Sequence, residues 1–209
     1  MVPVGVLSLA RQIQRIGAGM GFSRRTFVKQ GVAGGIGLLT FIVAGCEKKL
    51  TPAEARTAGV PFRTLEAAHV RTLDALGDVL LPGSAAAGLA HLIDHQLSGP
   101  PGDSMLMIKY LGLNPPFTDF YKGGLAGTES AAQMQFMKPF GELAPQDANT
   151  LVAAMAKGDL PGWSGPPPPL FFFVLRNDAV DATYGTPSGF ERLSVPYMAH
   201  IAPPTRWGA

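Results

Sequence analysis

The chain has 209 residues, of which 46% are hydrophobic and 15% charged, and its formal net charge is +2 at pH 7. Residues 1–45 contain five basic and no acidic side chains, whereas residues 46–209 contain twelve basic and fifteen acidic ones, a net charge of −3. No basic stripe lies in residues 46–209, which excludes nucleic acid as an expected partner. Cys46 is the only cysteine, which excludes an intrachain disulfide and a cysteine-based metal cluster.

The first predicted element is an export signal over residues 1–45. The segment Ser-Arg-Arg-Thr-Phe-Val-Lys resembles a twin-arginine signal, which directs folded proteins out of the bacterial cytoplasm. The apolar run that follows, residues 31–44, is shorter than the roughly 20 residues that span a bilayer, so a cleaved signal is expected and a retained anchor is the alternative. Translation could start at Met1 or Met20. The residues of the export motif are Arg24, Arg25, Phe27 and Lys29.

The signal ends in Val-Ala-Gly-Cys, which resembles a lipobox, so we expect lipidation of Cys46. Several acyl chains on one terminus would hold the protein firmly, because each buried CH₂ contributes about 0.8 kcal/mol. The polar segment 46–61 is then predicted to be a tether. These features predict a protein that is exported by the twin-arginine route, lies in the periplasm and is anchored to the membrane.

Residues 62–209 are predicted to form one small all-α domain. Apolar residues recur at helical spacing in several segments, and no segment shows the sustained alternation of a strand. Glycines near position 124 are expected to divide one of the helical stretches into two pieces. The predicted helices cover residues 62–81, 87–97, 104–111, 117–124, 130–136, 145–157 and 170–183.

The C-terminal segment, Gly185–Ala209, is predicted to be an extended strap, because its four prolines exclude a long helix. Its aromatic residues Phe190, Tyr197 and Trp207 are unusual for an unstructured tail. Two interpretations are open: the aromatics contact a partner, or they cover the core of this domain.

A search for chemistry identifies one pair of histidines. His91 and His95 are four residues apart on a predicted helix and could face one metal ion, but the segment lacks the glutamate of a His-Glu-x-x-His site. Partly exposed histidines without a metal are the favoured interpretation. The spacing of Asp178 and Asp181 on the late helix would allow structural contacts with Arg176 or Arg192, and paired carboxylates alone are weak evidence for acid–base catalysis. The sequence therefore predicts no catalytic, cofactor-binding or metal-binding residues.

Several segments together resemble the gluconate 2-dehydrogenase subunit 3 family. The likeness is strongest at Tyr184-Gly185 and in the Pro-Tyr pair and terminal tryptophan that follow. It covers most of residues 46–209. The segments that carry it are 73–82, 92–97, 171–178, 180–185, 189–190, 195–198 and 203–207.

This resemblance implies a non-catalytic small subunit of a membrane-associated dehydrogenase. In such complexes a large subunit of the glucose-methanol-choline oxidoreductase type holds FAD, oxidises a sugar or an alcohol, and passes electrons to a cytochrome c subunit or to quinone. The large subunit typically has no signal and leaves the cytoplasm bound to its small partner through the twin-arginine translocase. The alternatives are a free-standing lipoprotein that binds a ligand, and a metal-dependent lipoprotein enzyme.

Overall fold

A computed structural model describes residues 38–43 and 45–194. Within them the chain is mainly helical, which confirms the expected all-α class, and no helix there has both the length and the hydropathy that crossing a bilayer requires. Short 3₁₀ turns cover Pro101–Asp103 and Phe140–Glu142. The strands and helices are β1 (Leu39–Val43), β2 (Cys46–Leu50), α1 (Pro52–Thr57), α2 (Ala67–Leu80), α3 (Leu89–Ser98), α4 (Met107–Tyr110), α5 (Thr118–Phe136), α6 (Pro145–Lys157), α7 (Pro168–Tyr184) and α8 (Pro187–Arg192).

Helix α7 lies at the centre of the helical body and contacts α2, α3, α4, α5, α6 and α8. It begins at Pro168, a residue suited to a first turn because its missing N–H would have no helical partner there. Its apolar side chains recur every three or four residues, so one stripe enters the core. The fully buried members of this stripe are Phe171, Val174, Leu175 and Ala179.

Helix α5 is one continuous helix, so the predicted break near residue 124 is wrong. A Cβ atom on Gly124 would lie 2.2 Å from the ring of Phe171, and one on Gly127 would lie 3.0 Å from the ring of Trp163. These glycines allow two aromatic rings to approach the helix backbone closely. They are packing positions, and the burial of the rings offsets the helix propensity that each glycine loses.

Local signals predicted several helix ends well. Helix α6 runs over Pro145–Lys157 as expected, and Gly158 ends it in the left-handed conformation at φ 81°. Helix α2, in contrast, begins at residue 67 and not at 62. The backbone N–H groups of residues 63–65 donate to a side chain of α3 instead, which holds this stretch outside the helix.

Residues 39–43 and 46–50 pair as the two strands of a β-hairpin that the sequence did not predict. Strand β1 pairs antiparallel with β2, and its side chains alternate: Leu39 and Phe41 are 7% exposed, whereas Thr40 and Ile42 point outward. The expectation of no strand fails here because this alternation is hidden in a continuous apolar run. The signal over residues 1–45 remains a prediction, since residues 1–37 and 44 lie outside the described residues.

The segment that the sequence assigned to a tether also contains regular structure. Thr51 caps α1 by a reciprocal arrangement in which its hydroxyl accepts from the Glu54 N–H and the Glu54 carboxylate accepts from the Thr51 N–H. Ala55 is fully buried, and α1 packs on α3. Residues 52–57 therefore belong to the folded body.

Replacing Gly124 by alanine tests the packing of α5 against α7. We expect Gly124→Ala to lower the free energy of unfolding by about 1–3 kcal/mol, because the new methyl group displaces the ring of Phe171. Gly123→Ala is the matched control: its Cβ would lie 3.4 Å from Pro166, an ordinary contact, so the gain in helix propensity should leave stability equal or up to about 1 kcal/mol higher. Urea unfolding measures both, and equal effects of the two substitutions would contradict the packing role.

Candidate functional site

The aspartate between the two histidines of α3 has a structural role. The Asp94 carboxylate accepts three backbone hydrogen bonds, from the N–H groups of Arg63 (2.9 Å), Thr64 (2.8 Å) and Leu65 (2.8 Å). Hydrogen bonds to a charged acceptor are stronger than neutral ones, so Asp94 fixes the turn that leads into α2. Both of its oxygens are engaged in this turn.

The two histidines also bond to the backbone. The Nε2 atom of His91 lies 3.1 Å from the Val60 carbonyl oxygen, and that of His95 lies 3.1 Å from the Thr40 carbonyl oxygen. A carbonyl can only accept, so Nε2 carries the proton in both rings. Burial lowers the pKa of both histidines, and the bonds to the carbonyls oppose this shift in part.

Aromatic rings cover both imidazoles. The His91 ring lies 4.4 Å from that of Phe62, and the His95 ring lies 5.0 Å from that of Phe41 in an edge-on arrangement. His91 is 5% exposed, so it is more deeply buried than the sequence suggested. Beside these rings, a cavity of about 230 Å³ lies between β1, residues 60–63 and α3.

In the part of the chain that the structure describes, no further side chains join His91 and His95 to form a set of metal ligands. There, no group of three or more His, Cys, Asp or Glu side chains is arranged to hold a metal ion. The i,i+4 spacing brings both imidazoles to one face of α3, and that face packs against the hairpin and residues 60–63.

A second buried polar cluster lies around Asp178 on α7. Its Oδ2 accepts from the Tyr121 hydroxyl at 2.6 Å, and its Oδ1 accepts from the Met107 N–H at 2.8 Å. Asp178 is 1% exposed, and this burial raises its pKa to about 7, although both hydrogen bonds favour the charged form. Burial, with the carboxylate beside it, also raises the pKa of Tyr121.

Asp178 does not make the contact with an arginine that its spacing would allow, because the carboxylate lies in the core where Tyr121 and a backbone N–H donate to it. Arg192 instead donates to the Thr183 carbonyl at 2.5 Å and lies over the Tyr184 ring. In residues 38–43 and 45–194, the one salt bridge joins Arg56 to Asp74 at 2.7 Å.

The residues that the sequence proposed for export, lipidation and partner contact fall mostly outside these clusters. Cys46 is exposed at the first position of β2, and Phe190 is half-buried on α8. The remaining predicted residues lie outside the described part of the chain: Arg24, Arg25, Phe27, Lys29, Tyr197 and Trp207.

Together these features define a small helical domain in which the carboxylates of Asp94 and Asp178 and one ring nitrogen of each α3 histidine bond to the domain's own backbone and side chains. The family model for gluconate 2-dehydrogenase subunit 3 matches residues 67–200, from the first residue of α2 onward. The chain belongs to this family and is a small subunit of a dehydrogenase complex. No curated protein and no solved structure matches it significantly. The hairpin and α1 lie before the matched region.

The buried carboxylate of Asp178 gives a pH dependence with a definite sign. Its pKa rises from 3.8 in the unfolded chain to about 7 in the folded one. At pH values between these two, the folded state therefore keeps a proton on Asp178 that the unfolded state has lost. Its contribution to the free energy of unfolding should therefore fall as the pH rises from about 4 to about 7.

Asp178→Asn removes this titration. As the pH rises from about 4 to about 7, the free energy of unfolding of the wild type should therefore fall relative to that of the variant. Urea unfolding at a series of pH values measures the difference. The exposed Asp119→Asn, on α5, is the control. If Asp178→Asn and wild type changed in parallel with pH, the proposed protonation would be refuted.

Proposed function

We propose that this chain is the non-catalytic small subunit of a membrane-bound, FAD-dependent sugar or alcohol dehydrogenase, and that it escorts the catalytic subunit out of the cytoplasm. The observation that carries the proposal is the family match over residues 67–200 behind a segment containing Arg24-Arg25. The match supports a catalytic partner, and the arginine pair supports an export route that the partner shares.

The physical reason for sharing one signal lies in the cofactor of the partner. FAD is made in the cytoplasm, so a flavoenzyme has to fold around it before it leaves. A route for folded proteins allows this, and a partner bound to the small subunit needs no signal of its own. FAD belongs to the partner in this proposal, and no residue of this chain is assigned to it.

Lipidation of Cys46 is the proposed means of holding the complex at the membrane. Its exposure and its position directly after Gly45 support this assignment, as does the polar Glu-Lys-Lys that follows it. Electrons would pass from the flavin to a cytochrome c subunit or to quinone.

The aromatic residues of the C-terminal segment, Phe190, Tyr197 and Trp207, are proposed contacts for the catalytic subunit. Tyrosine, tryptophan and phenylalanine are enriched in protein interfaces and supply much of their binding energy. The metal-dependent alternative has less support, because Asp94 and the Nε2 atoms of both histidines are bound to the backbone.

Co-purification tests the subunit assignment. The tagged chain, expressed with its neighbouring genes, should bring down a yellow protein of dehydrogenase size in a stoichiometric amount, with the absorbance of bound FAD. The isolated chain should have no dehydrogenase activity, and adding it should raise the stability of the flavoprotein. A colourless preparation without a partner would overturn the proposal.

Substitution of the arginine pair tests the escort. Arg24→Lys with Arg25→Lys should leave both this chain and the flavoprotein in the cytoplasm, as fractionation and FAD absorbance would show. Arg11→Lys with Arg15→Lys is the matched control, because it makes the same change outside the motif and should leave export intact. If the flavoprotein were still exported in cells that carry the Arg24→Lys, Arg25→Lys variant, the escort role would be disproved and the subunit assignment would stand.

A further inference from the structure

Strand β1 occupies a surface that the rest of the domain builds. Leu39 and Phe41 enter the core, the Thr40 carbonyl accepts from His95 at 3.1 Å, and the Phe41 ring packs edge-on against the His95 ring. The hydrogen-bonding edge of β2 pairs with β1 along its full length. Strand β1 thus makes the contacts that an extended apolar peptide makes when it adds to the edge of a sheet.

All residues of β1 that make these contacts precede Cys46 in the sequence. Processing at Cys46, which belongs to the proposed function, removes β1 and leaves behind the surface that it covered. We name this surface the β1 site: the inner edge of β2, residues 60–63 and the His91–Ser98 face of α3. After processing, an apolar surface and an unpaired strand edge would be exposed together, and such surfaces are usually covered in a working protein.

We propose that the β1 site of the processed chain binds an extended segment of the catalytic subunit, which adds to β2 as a new antiparallel strand. The inference rests on the proposed function, because it requires both processing and a catalytic partner. The site is covered until residues 1–45 are removed, so this contact forms only after export. The contacts that carry the partner through export then lie elsewhere on the chain.

The β1 site specifies the chemistry of its occupant. The inner face takes two apolar side chains two positions apart, an aliphatic one where Leu39 lies and an aromatic one where Phe41 lies. The Nε2–H of His95 donates to the backbone carbonyl of the residue between these two positions, as it does to that of Thr40. Basic side chains lie nearby: Lys49 is directly opposite Thr40, and Arg63 lines the adjoining cavity. Directly opposite residues share one face of the sheet, so we expect an apolar, alternating segment with an acidic side chain at the position of Thr40, next to the aromatic residue.

The affinity of the purified catalytic subunit for two forms of the chain tests this contact. One form is the processed chain, and the other is full-length chain with Cys46→Ala, which keeps residues 1–45 and hence β1. In the same detergent, the processed chain should bind at least about tenfold more tightly, since filling an apolar site of this kind is commonly worth that factor.

A matched pair of variants shows whether β1 itself causes the difference. In the full-length chain, Leu39→Asp with Phe41→Asp should release β1 from the site and bring the affinity close to that of the processed chain. Leu38→Asp with Ile42→Asp adds the same charge at side chains that are 54% and 38% exposed, so β1 should stay seated and binding should stay weak.

Hydrogen exchange gives a second readout that does not depend on the folding of a variant. The β2 amides of the processed chain should exchange fast alone and slowly with the catalytic subunit bound. Equal affinity of the processed and full-length forms, or a β2 that stays unprotected in the complex, overturns the β1-site proposal and leaves the proposed function intact. If neither form binds, the proposed function fails and this inference fails with it.

Discussion

The Asp178 carboxylate is the interaction on which the arrangement of the helices depends most. It bonds to Tyr121 on α5 and to the backbone of Met107 at the start of α4, residues that are 57 and 71 positions away in sequence. One side chain of the central helix thus fixes the position of two other segments. Removing the carboxylate would leave the buried Tyr121 hydroxyl and the partly buried Met107 N–H without their acceptor, and a fully buried group in that state costs about 1–3 kcal/mol.

Sequence patterns predicted the helices whose limits depend on local chemistry. Pro145 and Gly158 mark the two ends of α6 because each residue has a strong backbone preference of its own. The glycines of α5 have the same intrinsic preference and yet do not break their helix. What overrides the preference is a contact with Phe171 and Trp163, which lie more than thirty residues further along the chain. No local pattern contains that information.

The candidate site was predictable only in part for a related reason. The spacing of His91 and His95 correctly places both on one helix, but their hydrogen-bond partners, Val60 and Thr40, come from distant segments. The strand that supplies Thr40 was not predicted, because its alternation is invisible within an apolar run. The family could be recognised nevertheless, since its characteristic segments are continuous stretches of sequence.

The buried histidines and the buried aspartate have opposite effects on stability as the pH changes. Burial lowers the pKa of His91 and His95, so their contribution to the free energy of unfolding rises with pH up to about 6.5, where the unfolded chain loses its protons. Burial raises the pKa of Asp178, so its contribution changes in the other direction over much of the same interval. The two slopes therefore have opposite signs where their pH intervals overlap. The buried histidines thereby cancel part of the effect that the buried aspartate has on the response to mild acidification, which matters for a protein proposed to work where the cell does not buffer the pH.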